Sequence, residues 1–345
     1  MFHSFTNVQI EAISGISGAQ QIDVLERSIK AGVPEKNAKR TISSLGFEKL
    51  RFIDRNHSMA DACIAGALQC LKETNTPSSD VGALVVLTQS PDYTVPATSY
   101  TMQDRLNLSH DTIMLDITQG CSGFVYGLFY ASNLVQSKVC KKVLLCVGDF
   151  SDVDGNALAA QKTNSLLFGE GASVVLLSYS DTQVESTYQI RSYGEKYGVV
   201  MNPRSGAQCL RNPDKSKFTS GFQIDGLELA NFEIETGSSS IKEILQSKNY
   251  SFDDISYAIV HQSNKAILKT IALSLGVDFQ KVPFLASQTG NTSSASIPLG
   301  ITESIQSLAD IQNKPTLMCG IGVGLSCACS IVDLKHTKVL PTIYM

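Results

Sequence analysis

The sequence predicts an α/β protein with a mostly parallel sheet, made of two copies of one unit. Two observations carry that expectation. Short runs that are apolar throughout alternate with segments of helical spacing, and three stretches of the first half recur in the second at an offset of roughly 170 residues. Along the chain, Val8, Ile10, Ala12 and Ile13 alternate and lead to Gly15 and Gly18, a strand followed by a turn. A polar helix is expected from about Ile22 to Ala31, closed by Pro34. Lys36 to Lys49 is basic, which suits a solvated helix face or a site for phosphate groups. Ala60 to Leu71 is small and apolar on several sides, as a buried helix is. Val81–Leu87 is fully apolar, as a strand covered on both faces would be, and Lys142–Val147 and Ser173–Leu177 are further apolar strands. A helix from about Ser99 to Leu106 and another after Cys121 separate them. The echoes pair Ser256–Ser263 with Ala83–Ser90, Gln288–Ser293 with Thr118–Gly123, and Thr316–Gly320 with Val143–Val147.

The expected division is an N-terminal half over 1–180, a polar excursion over 181–226 that caps a substrate cavity, and a C-terminal half over 227–345. At 345 residues the chain is long enough for a large core or two fused domains. Its 43% hydrophobic and 17% charged content is that of a soluble globular protein. A net charge of -4 with no long basic run gives no case for nucleic acid binding. No stretch approaches the roughly 20 apolar residues of a membrane span. The nine cysteines lie mostly in apolar runs, no CxxC pair occurs, and Cys327-Ala328-Cys329 is too closely spaced for a zinc pattern, so no metal is expected. The first residues lack a basic stretch followed by a long apolar one. A reducing cytoplasm is the expected compartment.

Chemistry is concentrated at Asp116-Ile117-Thr118-Gln119-Gly120-Cys121-Ser122-Gly123-Phe124. Cys121 sits where a strand gives way to a helix. The first helical turn presents unpaired N–H groups and a partial positive charge, which stabilise a thiolate. Gly120, Ser122 and Gly123 leave room for a carbonyl to approach, so the residue reads as a nucleophile and not as a packed core thiol. If the two halves face each other, His261 at a strand end and Asn291 in a Gly-Asn-Thr-Ser turn meet Cys121. The thiol attacks a thioester, and the other two stabilise an enolate oxygen. The Cys, His, Asn order also suits a papain-like protease, but the local sequence around Cys121 does not.

Gly120-Cys121-Ser122-Gly123-Phe124, His261-Gln262-Ser263-Asn264, Gly290-Asn291-Thr292-Ser293-Ser294-Ala295-Ser296 and Gly320-Ile321-Gly322-Val323-Gly324 together resemble β-ketoacyl-acyl-carrier-protein synthase III, of the thiolase superfamily. Ser90-Pro91-Asp92-Tyr93 and Phe168-Gly169-Glu170-Gly171-Ala172 add to the likeness, which runs from about Met59 to Leu334. The resemblance implies a five-layered αβαβα fold and a homodimer. It implies acyl transfer from acyl-CoA or an acyl carrier protein to Cys121, then decarboxylative condensation with malonyl-carrier-protein assisted by His261 and Asn291. The backbone N–H groups of Cys121 and Val323 would form the oxyanion hole, Asn264 would lie near the pantetheine arm, and no resident cofactor is implied. Family members often carry a tryptophan near residue 40. This chain has none; Arg40 stands near that place, and Lys162 stands for an arginine further on. A carrier-protein-bound donor is therefore a candidate. The alternative is an acyltransferase that forms an ester or amide in secondary-metabolite or glycoconjugate synthesis.

Overall fold

A computed structural model describes residues 1–150, 167–203, 206–212, 214 and 222–345. Strands β1 (Phe2–Phe5), β2 (Val8–Ser17), β3 (Gln20–Asp23) and β4 (Lys49–Phe52) open the chain, with helices α1 (Val24–Lys30) and α2 (Glu35–Leu45) between β3 and β4. Asp23 caps α1 through the Glu26 N–H, and Gly46 closes α2 in the left-handed region. Helix α3 (Met59–Glu73) starts with a reciprocal box between Ser58 and Asp61. Then follow β5 (Val81–Leu87), α4 (Thr98–Gln103), β6 (Ile113–Ile117), α5 (Gly123–Gln136), β7 (Lys142–Asp149) and β8 (Gly171–Tyr179). The second half holds β9 (Ser186–Ser192), β10 (Val200–Met201), α6 (Gly206–Arg211), β11 (Gln223–Ile224), α7 (Gly226–Ser247), β12 (Ala258–Val260), α8 (Lys265–Leu275), α9 (Ser296–Ser304), β13 (Thr316–Gly322) and β14 (Ser326–Val332). β15 (Lys338–Val339) and β16 (Ile343–Tyr344) end it.

The first sheet runs β15-β2-β8-β7-β5-β6, with β16 also on β2; the second runs β1-β9-β14-β13-β12. Both are mixed. β5 pairs in parallel with β6 and β7, while β7–β8 and β8–β2 are antiparallel. α3 covers the outer face of the first sheet, where Ala62, Cys63 and Ala67 meet Leu84, Val174 and Leu176. α5 and α9 lie between the sheets, and their Leu128, Ala131, Ile297 and Ile301 share one core with residues of both. α7 and α8 cover the second sheet. The result is the layered α/β architecture expected.

The expected excursion over 181–226 is corrected in part. Ser186–Ser192 is a strand inside the second sheet, paired with β14 on one side and β1 on the other. Its polar residues hid it: Thr187 and Gln189 are buried, and Gln189 donates to Glu243 Oε2 at 3.0 Å. The expected boundaries also cut across the sheets, since β1 belongs to the second and β15 and β16 to the first.

Candidate active site

Cys121 follows β6 and precedes α5. The turn that holds it is tight, with the Gly123 N–H donating to Gly120 O at 2.6 Å. It is pinned to the turn between β13 and β14: Gln119 Nε2 donates to Ser122 Oγ and Ser326 Oγ, each at 2.9 Å, and those hydroxyls lie 2.7 Å apart. Ser326 Oγ in turn donates to Val323 O at 2.8 Å. Gly322 at this turn has φ +147°, a conformation that L side chains avoid. A Cβ there would sit 2.7 Å from Cys121 Cβ and 2.9 Å from its sulfur, so only glycine lets the strand approach the thiol this closely.

His261 continues the ladder beyond β12, its N–H donating to Cys319 O at 2.8 Å. It is buried, and Nδ1 lies 2.7 Å from Ser296 Oγ, which also accepts the Gln262 N–H at 3.3 Å. Asn291 is held in a short bridge to Phe168, through Asn291 N–H to Leu167 O at 2.8 Å and Gly169 N–H to Asn291 O at 3.1 Å. Its Oδ1 accepts the Ser293 N–H at 2.9 Å. The oxygen is thus committed to the backbone, and the amide nitrogen is the end left to donate. Asn291 caps this turn and not α9, whose N-cap is Ala295.

Ser293 links all three residues. Beyond its bond to Asn291, its hydroxyl acts on the Cys121 thiol and its backbone on the His261 ring. It does so from φ +50°, a costly conformation for a residue with a side chain.

The electrostatics depart from the sequence-based expectation at one point. Burial pushes the Cys121 thiol up, and Asp149 pushes it further; the Val323 and Cys121 backbone amides and the Ser293 hydroxyl pull it down without prevailing. Although the residue is partly exposed, the sulfur is enclosed deeply enough that desolvation outweighs the helix start. The two amides that lower it are the pair expected to form an oxyanion hole. Burial also lowers His261, against the opposing pull of Glu233 and Asp149, so the ring is neutral near pH 7.

Two acids at this centre carried no sequence signal. Asp149, at the end of β7, accepts the Gln89 N–H at 2.7 Å and Thr88 Oγ1 at 3.3 Å on one oxygen, and the Ser294 N–H at 3.2 Å on the other. Burial raises its carboxyl even so. Glu233, on α7, is raised to about 7 by burial, with His261 and the Ser263 hydroxyl opposing and Cys121 adding to the rise.

Of the other expected residues, Asn264 caps α8, accepting the Ile267 N–H at 3.0 Å, three residues beyond His261. Arg40 is exposed on α2, a helix whose Gly46 end packs against Lys265 and Phe284. Lys162 lies outside the described residues. Strand pairing also brings Cys319 to the closely spaced Cys327 and Cys329: Cys319 faces Cys329 across the ladder, and the three sulfurs lie within 4.8 Å of one another. They are three soft donors buried in an apolar shell.

Residues 115–194 match the family model for 3-oxoacyl-[acyl-carrier-protein (ACP)] synthase III, and residues 245–334 match that of its C-terminal part. The chain is 30% identical over 305 residues to the β-ketoacyl-[acyl-carrier-protein] synthase III of Streptococcus gordonii, covering 85% of this chain and 90% of that protein. To the Clostridium tetani protein of the same description it is 26% identical over 302 residues, covering 83% and 87%. Its fold superposes on the crystal structure of a 3-oxoacyl-(acyl-carrier protein) synthase from Burkholderia xenovorans with a TM-score of 0.90 at 24% identity, covering 100% of this chain and 99% of that one.

Proposed function

The chain belongs to the 3-oxoacyl-[acyl-carrier-protein] synthase III family, and from that premise we propose how this condensing acyltransferase divides its chemistry among its residues. Cys121 is the nucleophile. Its sulfur attacks the thioester of an acyl donor, and the oxyanion of the tetrahedral intermediate accepts hydrogen bonds from the Cys121 and Val323 N–H groups. Collapse expels the donor thiol and leaves an acyl-cysteine. A malonyl thioester then loses carbon dioxide. The enolate oxygen is held by Asn291 Nδ2 and His261 Nε2, which carries the ring proton when the Ser296 hydroxyl donates to Nδ1. The enolate carbon attacks the acyl-cysteine, and the same oxyanion hole serves again before the sulfur departs.

The observation that carries this division is the meeting at Ser293 of a thiol from one half with an imidazole and a carboxamide from the other. Acyl-CoA and acyl carrier proteins are the donor classes, with malonyl-carrier-protein as extender. The chain has no tryptophan and α2 presents Arg40, which favours a carrier-protein donor. Asn264 and Lys162 are assigned to the carrier arm with Arg40. The segment between β9 and α7 is assigned to shaping the acyl pocket. The ester- or amide-forming alternative finds no support in relatives named for ketoacyl synthesis.

A second copy of the chain is the natural cover for β6, which among the described residues is an edge strand paired to β5 alone, with Ile113 and Leu115 41% and 37% exposed. All nine cysteines are free, which suits a cytoplasmic site, and among the described residues no helix is long and apolar enough to cross a membrane. The test is to weigh the intact protein after incubation with acyl-CoA and acyl-carrier-protein donors, then add malonyl-carrier-protein. A mass gain on Cys121 followed by a C–C product and carbon dioxide supports the reading; an ester or amide product overturns it.

A further inference from the structure

The steps above leave the buried Glu233 without a task. Glu233 is 2% exposed, and its Oε2 has no hydrogen-bond partner. A carboxyl buried this deeply with one oxygen unpartnered, the Ser263 hydroxyl acting on it, is rare unless it is used. A Cβ on Gly322 would lie 2.9 Å from the Cys121 sulfur and 3.9 Å from Glu233 Oε1, so thiol and carboxyl flank the same point of the glycine turn. The titratable groups that face Glu233 are His261 and Cys121, with Asp149 facing both of those from β7. Of the cations on elements packed against α7, Arg191 of β9 pairs with Glu243, Lys196 pairs with Glu228, and Lys269 of α8 lies over the Phe279 ring, while Lys265 opens α8.

The exchange of one thioester for another needs a proton holder at this place. Cys121 is a thiol whose ionisation burial opposes, so attack requires a base. Asp149 has both oxygens occupied by hydrogen-bond donors. His261 has Nδ1 engaged by Ser296, and in the proposed condensation its Nε2 must keep its proton. Glu233 keeps Oε2 unpartnered, while its Oε1 lies beside the glycine turn that the sulfur also approaches.

We propose that Glu233 carries the proton of the acylation step. Its carboxylate takes the proton from the Cys121 S–H as the sulfur–carbon bond forms. It then gives that proton to the donor sulfur as the old carbon–sulfur bond breaks. One thiol is consumed, one is released, and Glu233 ends as it began. One carboxyl serves both sulfurs because both are bonded to the same carbon in the tetrahedral intermediate. The proposal rests on reading Cys121 as the nucleophile. Burial raises Glu233 to about 7, where a carboxyl can both accept and return a proton near neutral pH.

The test is rapid-quench acylation of the full chain, wild type and Glu233→Gln, read by intact mass from pH 5.5 to 9. The probes are octanoyl-CoA, whose alkyl thiolate needs a proton to leave, and octanoyl thiophenol thioester, whose aryl thiolate does not. With octanoyl-CoA the variant should lose the rise in rate centred near pH 7 and acylate about 100-fold more slowly. With the aryl thioester the loss should be about ten times smaller. Glu233→Asp, which keeps the carboxyl, should restore the pH dependence, and it also serves if the glutamine variant folds poorly. An unchanged pH profile, or equal losses with both donors, overturns the assignment. Acyl mass mapped by peptide analysis to a residue other than Cys121 overturns the underlying nucleophile instead.

Discussion

The first sheet orders its strands β2-β8-β7-β5-β6, and the second orders β9-β14-β13-β12 with the same sequence of antiparallel, antiparallel and parallel pairings. The two halves then diverge at two positions. Beyond β5 the first sheet adds β6, and the chain leaving β6 turns directly into Cys121 and α5. Beyond β12 the second sheet stops, and residues 282–292 run without a strand to Asn291 and α9. The ends of the third strands differ as well: Asp149 closes β7, whereas Gly322 closes β13 and admits the sulfur. Duplication supplies the scaffold, and divergence at two loop positions supplies complementary chemistry on either side of one centre.

Substitutions separate the contributions of the halves, and the largest effect belongs to the first. Cys121→Ala should remove the acyl adduct from the intact-mass spectrum and lower condensation more than about 1000-fold. Residues of the second half should behave differently: His261→Ala and Asn291→Ala should still acquire the acyl mass while forming the C–C product about 100-fold more slowly. If either blocks acylation, the division between halves is lost.

Glu233 tests the cost of bringing the halves together. The folded state holds its proton to about pH 7, whereas the unfolded chain releases it near 4.5. Between those values the folded state binds more protons, so stability falls as pH rises, and the penalty is complete above 7. Glu233→Gln should therefore be more stable than wild type by up to about 3 kcal/mol above pH 7, with no gain below pH 4.5, in melts across that range. The smallest effect concerns the close approach itself. Gly322→Ala, at φ +147° and against Cys121, should cost about 2 kcal/mol in denaturant unfolding and slow acylation.

Much of this centre is readable from the chain. A cysteine between a β-branched run and a helical run, a histidine closing an apolar strand and an asparagine in a glycine turn each follow from local pattern, and their shared offset brings them together. What escapes is whatever depends on packing across the halves. Glu233 stands among Glu228, Glu235 and Glu243 on a helix that reads as solvated, and only the approach of the β13–β14 turn gives it a role. Asp149 precedes Phe150-Ser151-Asp152, which reads as an acidic loop. β9 is hidden from hydropathy because Ser186, Thr187 and Gln189 fill three of its four buried positions, with Thr187 bonded to Ser4 and Gln189 to Glu243. The thiol's rise was unreadable for the same reason, since a helix start is local and desolvation is not.

The exchange of edge strands has a consequence for anyone dividing the gene. β1 crosses to the sheet of the second half, and β15 and β16 return to flank β2 in the first, with Lys338 opposite Ala12 and Ile343 opposite Ile16. Fragments cut between β8 and β9 would each leave bare the ladder that the other completes. They should precipitate when produced singly and become soluble only when produced together.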